Sequence, residues 1–253
     1  MSTKRGTNIK SILKTHPHAT VLTVEAMLQR GMSREAIRSA VRSGWLTRFG
    51  RGVYIMLDET VELEGALWTL QNELGMSIHH GGYTVLSEKY GKSHNVHISR
   101  KPQLFAYRGE KLPAWFDGHY SNRYDLYTTS FLPVDTGFID DDAVNFTIRI
   151  PSVERAILEM LYLTPSVHTV QETYQVMELL TTAKPAEFQR LLESCTSIKV
   201  KRLFLYMAEH TGYAWFKRIS LDAIELGRGD REITRGGHYD RKYRITVGNV
   251  EAI

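Results

Sequence analysis

Apolar positions recur at helical spacing through the first 57 residues. Ile9, Ile12 and Leu13 fall at i, i+3 and i+4, one face of a short helix that the His16, Pro17, His18 stretch brings to an end. Thr23 is placed to cap a second helix, in which Val24, Met27 and Leu28 repeat the spacing and Gly31 can take the positive φ that closes it. Ser33 can cap a third, with Ile37, Ala40 and Val41 as its apolar stripe. Beyond Gly44 and Trp45 the period changes: Leu46 to Phe49 and Val53 to Ile55 flank Gly50, Arg51 and Gly52, as the strands of a hairpin flank its turn. Three short helices followed by a hairpin predict a winged helix-turn-helix over residues 1–57.

Leu63, Leu67, Leu70 and Leu74 predict a helix beginning near Thr60, and a second short helix follows His79, His80, Gly81, Gly82 and Tyr83 as far as Tyr90. Both are expected to support the winged module, which sets a DNA-binding domain at residues 1–95. Val96, His97, Ile98 and the run Phe146 to Ile150 read as strands, and a helix-rich segment follows. In that segment Ser152 is an N-cap candidate, Glu154 suits the positive helix end, and Val153, Ala156, Ile157, Met160 and Leu161 form a core stripe. From Ser197 a further helix turns Leu203, Phe204 and Met207 inward, with Lys201 and Arg202 as partly exposed flankers. Strands and helices do not alternate regularly, so the chain is classed as α+β, with residues 96–253 as one mixed C-terminal domain.

A hydrophobic fraction of 42% and a charged fraction of 24% over 253 residues are those of an ordinary soluble protein. No apolar run reaches membrane-spanning length and the N-terminus opens on polar residues, so a cytoplasmic protein with no membrane partner is expected. The lone cysteine, Cys195, excludes an intrachain disulfide and is expected to be a small buried side chain in a helical stretch.

Charge changes the picture more than composition does. The net charge of +4 divides into +8 over residues 1–57, −8 over 58–198 and +4 over 199–253. Arg34, Arg38 and Arg42 recur every four residues on a helix face beside the apolar stripe, so the third helix can pack inward and still present guanidinium groups. Arg38, Ser39 and Arg42 are the candidates for base-edge or groove contact, since Arg can donate two hydrogen bonds to guanine. Arg34, Arg48 and Arg51 are the candidates for phosphate contact.

Residues 199–244 hold eleven bases and six acids. Lys199, Lys201 and Arg202 open a helix there, and Arg228, Arg231, Arg235, Arg241, Lys242 and Arg244 crowd its final section. Gly227, Gly229, Gly236 and Gly237 free the backbone for close approach, and Tyr239 and Tyr243 are placed to stack on a base. This predicts a second surface for nucleic acid or a partner protein, set against the plainer reading of a hairpin with ordinary surface charge. The strand-to-helix setting of a phosphate-binding loop is lacking.

Residues suited to catalysis are sparse. His94 and His97, with His79 and His80 nearby, supply an HxxH spacing but no thiolate and no HExxH helix, so no metal site is assigned. Asp140, Asp141 and Asp142 are consecutive and would alternate in direction on a strand, so they read as a solvated turn. Glu154 and Glu159 lie on the Ser152 helix beside its core stripe. No nucleophile elbow, Walker loop or dinucleotide fingerprint occurs, and neither a catalytic residue nor a cofactor is expected.

The strand RGVYIML, the segment GGYTVLSEKYGKSHNVHIS, the helix SVERAILEMLYLTP, the run SIKVKRLFLYMAEHTGYAWF and the tail LGRGDREITRGGHYDRKYRITV together resemble the AbiEi antitoxins of type IV toxin-antitoxin systems. The resemblance covers nearly the whole chain. It implies a bacterial abortive-infection protein whose N-terminal domain represses its own operon by binding inverted repeats in the promoter. It also implies a C-terminal domain that counteracts a cognate nucleotidyltransferase toxin, by direct or indirect means. Two alternatives stand beside it: a metal-dependent nuclease that uses the winged helix for delivery, and a plain regulator with a ligand-sensing C-terminal domain.

Overall fold

The cap residues of the predicted second and third helices make their bonds. Thr23 Oγ1 accepts the Ala26 N–H at 3.0 Å and Ser33 Oγ the Ala36 N–H at 3.1 Å. The computed structural model, which describes residues 9–91, 100–143 and 145–248, accordingly begins with α1 (Ile9–Thr15), β1 (Leu22–Thr23), α2 (Val24–Gln29), α3 (Arg34–Arg42), β2 (Leu46–Gly50) and β3 (Val53–Met56). Gly31, at φ 89°, makes the turn from α2 to α3. β3 is the middle strand of an antiparallel three-stranded sheet, with Leu22 opposite Tyr54 and Leu46 opposite Met56. Ile12, Leu22, Met27, Met32, Ile37, Ala40, Leu46 and Met56 meet in one buried cluster. The larger of these aliphatic side chains each contribute roughly 1.5–3 kcal/mol on burial. The N-terminal module is a winged helix-turn-helix, as its periodicity predicts.

The chain continues through α4 (Leu63–Asn72), β4 (His79–His80), α5 (Gly82–Glu88), β5 (Gln103–Tyr107), α6 (Ala114–Tyr120), β6 (Asp125–Thr129), β7 (Phe138–Ala143) and β8 (Phe146–Pro151). Then come α7 (Val153–Leu163), α8 (Val170–Glu178), α9 (Pro185–Ser194) and α10 (Ile198–His210). Two short 3-10 turns lead to β9 (Arg231–Glu232), β10 (His238–Asp240) and β11 (Ile245–Val247). The fold is α+β. Its two compact units are discontinuous in sequence: 1–79, 109–124 and 140–149 make the first, and 80–108, 125–139 and 150–253 the second. The expected strand at Val96, His97 and Ile98 lies outside the described residues.

Asp140, Asp141 and Asp142 do not form the expected turn; they lie on β7, which pairs with β8 as a two-stranded ribbon. Alternation makes this tolerable, because Asp140 and Asp142 are exposed and Asp142 accepts the Thr147 hydroxyl at 2.7 Å.

In the second unit, β5 and β6 pair in parallel, Gln103 opposite Asp125 through Tyr107 opposite Thr129. Helix α7 is buried nearly throughout, its acids included. Ser152 caps it, accepting the Arg155 N–H at 3.3 Å. Glu159 accepts Arg155 Nε at 2.8 Å and the Gly82 N–H at 3.1 Å, and Glu154 accepts the Lys184 N–H at 2.9 Å. Both carboxylates therefore tie the start of another helix, α5 or α9, to α7. Cys195 is buried as expected, though it follows α9 rather than lying within it, and burial pushes its thiol up to about 11.

Candidate nucleic-acid interface

Helix α3 buries Ile37 and Ala40 and turns Arg34, Arg38, Ser39 and Arg42 to solvent. Positions four apart stack along one face, so the three guanidinium groups make a row. Arg48 stands exposed on β2, its Nε donating to the Gly50 carbonyl at 3.4 Å, and Arg51 is exposed at the hairpin turn. Gly52, at φ 76°, closes that turn, and its carbonyl accepts the Val24 N–H at 2.9 Å. The wing tip is thereby tied to the start of α2. None of the five arginines is ion-paired with a described residue, unlike Arg30 nearby, which is bonded to Glu73 at 3.0 Å. Five uncompensated cations on one module attract a polyanion.

The wing has a support that sequence periodicity does not reveal. The β2–β3 register shifts between Arg48 and Gly50, which takes Phe49 out of the ladder. Its carbonyl instead accepts Nε2 of His119 at 2.6 Å, and the two rings stack with centroids 3.8 Å apart. A Cβ at Gly50 would lie 2.8 Å from Trp115 Cβ, so α6 meets bare backbone there. Tyr120 donates to the Val61 carbonyl at 2.7 Å and completes the clamp. The available sequence signal was Pro113 followed by Trp115, Phe116 and Tyr120, an aromatic stretch behind a helix-starting proline.

A family model described as the AbiEi antitoxin N-terminal domain of a transcriptional regulator matches residues 5–98. A second, described as a transcriptional regulator, AbiEi antitoxin, of type IV toxin-antitoxin systems, matches residues 99–248. The chain belongs to the AbiEi antitoxin family of transcriptional regulators. Among solved structures, the crystal structure of the RV2827C protein from Mycobacterium tuberculosis is similar at 14% identity and TM-score 0.57, over 93% of this chain and 88% of that one. At that identity the likeness concerns the fold alone. No curated protein matches the chain.

The basic C-terminal residues of this AbiEi chain fall into two groups. Lys201 and Arg202, expected as partly exposed flankers, are buried at 4% and 1% exposure. Lys201 donates to the Glu225 carbonyl at 3.1 Å. Arg202 donates to the carbonyls of Leu226, Gly227, Gly229 and Arg244 at 2.7–3.1 Å. Lys199 donates to the carbonyls of Tyr162 and Thr164, both at 2.5 Å, and satisfies the C-terminal end of α7, while burial lowers its ammonium from the ordinary value. Lys201 and Arg202 supply donors to carbonyls of the Gly-rich segment and the chain around it, and Lys199 supplies them to the end of α7. Lys201 and Arg202 are internal scaffolding rather than a contact surface, and Lys199 is half-buried with its ammonium spent on α7.

Arg228, Arg231, Arg235 and Arg241 form the second group and are exposed without a described ion-pair partner. Lys242 pairs with Glu209, and Arg244 with Asp230 at 2.9 Å. Tyr239 is exposed, whereas Tyr243 is 2% exposed and donates to Glu209 at 3.0 Å, so it is not free to stack on a base. Among the described residues no group of three His, Cys, Asp or Glu side chains is arranged to hold a metal ion, and His94 and His97 lie outside them. No helix among the described residues is long and apolar enough to cross a membrane.

Proposed function

We propose that the chain is a non-enzymatic antitoxin and autorepressor. Its winged module binds inverted repeats in its own promoter, with Arg38, Ser39 and Arg42 in the major groove and Arg34, Arg48 and Arg51 on phosphates. Its C-terminal part, residues 96–253, neutralises a cognate nucleotidyltransferase toxin in the cytoplasm. The observation that carries the DNA reading is the solvent-facing row Arg34, Arg38, Arg42, continued by Arg48 and Arg51 on the wing, with no described acid paired to it. Membership of the AbiEi family supports both halves. On the toxin side, the exposed Arg228, Arg231, Arg235, Arg241 and Lys242 are the candidates, now without Lys199, Lys201 and Arg202.

Fluorescence anisotropy of the full chain against its upstream DNA and a scrambled duplex, over a salt series, tests the DNA reading. Selective, salt-sensitive binding that Arg38→Ala weakens is the expected result, and equal binding of both duplexes by both proteins would overturn it. Co-expression with a nucleotidyltransferase toxin from the same host tests neutralisation separately.

A further inference from the structure

We propose that the open edge of β6 pairs with the same strand of a second copy of this chain, antiparallel about a twofold axis at Tyr127. β6 (Asp125–Thr129) ends the three-stranded sheet ordered β4, β5, β6. The Asp125 N–H donates to the Pro102 carbonyl at 2.9 Å, and the Arg108 N–H to the Thr129 carbonyl at 3.1 Å. With β5 and β6 parallel and in unbroken register, Asp125, Tyr127 and Thr129 turn their backbone polar groups to β5, so Leu126 and Thr128 turn theirs outward. Those outward groups have no hydrogen-bond partner among the described residues.

The edge lacks the usual protection. Native sheets blunt exposed edges with lysine, proline or a bulge. β6 reads Asp-Leu-Tyr-Thr-Thr, has none of these, and consists of strand-compatible residues after the first. Leu126 stands beside Leu104 on one face of the sheet; Leu104 is fully buried, and Leu126 is 37% exposed. Asp125 and Thr128 are exposed as well.

The strand is complementary to itself, which favours a second copy as the occupant. Antiparallel pairing about Tyr127 sets Leu126 opposite Thr128 of the second copy, and these two residues, whose backbone groups face outward, are the ones that must exchange bonds. Tyr127 then meets its equivalent at the closer, non-hydrogen-bonded position as an aromatic pair, and the two Leu126 side chains are diagonal neighbours on the other face. Asp125 falls opposite Thr129, so the strand's only charge never opposes itself. A parallel sheet accepts an antiparallel strand at its edge. The inverted repeats of the proposed operator also call for two copies, and this support alone rests on that reading. Five residues make a small interface, so the dimer is expected to dissociate over the micromolar range.

Sedimentation of the full chain without DNA, over a concentration series, tests the pairing independently of operator binding. Thr128→Pro removes an outward N–H and leaves the β5 ladder intact, so it should weaken the dimer roughly tenfold or more. Thr128→Ala keeps that N–H and should leave the dimer unchanged. Oxidation tests the register: Tyr127→Cys sets two thiols across the axis within disulfide reach, whereas Asp125→Cys sets them roughly 13 Å apart along the strands. A disulfide-linked dimer from Tyr127→Cys alone is expected, since the native Cys195 is buried. Thermal melts establish that each variant is folded. A monomer at every concentration would overturn the proposal and leave the edge to another protein's strand. So would a dimer unmoved in folded Thr128→Pro, or crosslinking of Tyr127→Cys no greater than that of Asp125→Cys.

Discussion

The imidazole of His119 lies flat on the ring of Phe49, 3.8 Å between centroids and 7° between planes, at the point where β2 slips its register. Wing position is thereby set by a residue that contacts no part of the proposed DNA-facing row. His119→Ala should lower stability by about 1 kcal/mol, since it removes one hydrogen bond and one exposed ring stack. It should also weaken duplex binding with no change in salt dependence, because no phosphate contact is lost. Arg51→Ala is expected to behave differently, weakening all duplexes alike and reducing the magnitude of the salt slope by about 1. Anisotropy over a salt series separates the two, and equal slopes for the two variants would count against a phosphate role for Arg51.

Gly65 lies in α4 where the helix meets the loop before β1. A Cβ there would stand 1.9 Å from the Ala19 carbonyl oxygen, an impossible approach against backbone. Helix propensity alone favours Ala over Gly by about 1 kcal/mol. The clash outweighs that preference, so Gly65→Ala is expected to destabilise by about 2 kcal/mol or more. Urea denaturation reads the sign directly, and a stabilised variant would show that the loop yields.

His16 makes the stability of the winged module depend on pH. Its Nε2 is 2.8 Å from the Thr20 hydroxyl, its Nδ1 is 3.2 Å from Arg30 Nη1, and the residue is 3% exposed. Thr20 gives its own proton to the Pro17 carbonyl, so Nε2 carries the hydrogen and Nδ1 accepts from Arg30. Burial first, then the charge of Arg30, lowers the imidazole from 6.5 to about 3. Between those values the unfolded chain binds more protons, so stability present above about 6.5 is lost as the pH falls toward 3. Glu73 opposes this in part, because burial raises its carboxyl and the folded state takes up that proton earlier. Denaturation near pH 7.5 and pH 5 should show wild type losing about 2 kcal/mol from His16 before that offset. His16→Gln, which can still donate to Thr20 and accept from Arg30, should lose less. An identical loss in the variant would place the proton uptake elsewhere.

The winged module was legible because its determinants are local. Thr23 and Ser33 cap the helices that follow them by accepting N–H groups three residues on, and the phase that buries Ile37 and Ala40 also fixes where Arg38 and Arg42 point. The support beneath the wing was not, since the bond from His119 to Phe49 joins positions 70 apart and the register shift freeing that carbonyl leaves no mark in periodicity. Asp140 to Asp142 misled for a related reason: three acids in a row look like a turn until a partner strand is known. Arg202 misled because a cation beside other cations reads as surface, and arginine is rarely buried. Only the fold shows that the Gly-rich tail brings it four carbonyls.

That arrangement leads to the sharpest expectation for the C-terminal unit. Nη1 of Arg202 reaches Gly229 at 2.7 Å and Arg244 at 3.1 Å, while Nε and Nη2 take Leu226 and Gly227. Removing the guanidinium leaves four carbonyls without this donor in a segment that has few ladder bonds of its own. Arg202→Ala should cost about 3 kcal/mol or more, combining unmet carbonyls with a cavity. Arg202→Lys should recover little, since one ammonium cannot reproduce a planar fork serving four acceptors. Arg241→Ala, at an exposed position, should leave stability within about 0.5 kcal/mol of wild type. Hydrogen exchange localises the effect: amides of Arg231, Ile233 and Thr234, which bond to β11 and the residue before it, should lose protection in Arg202→Ala while the α3 amides keep theirs. Full rescue by lysine would mean that charge, not the fork, organises the tail.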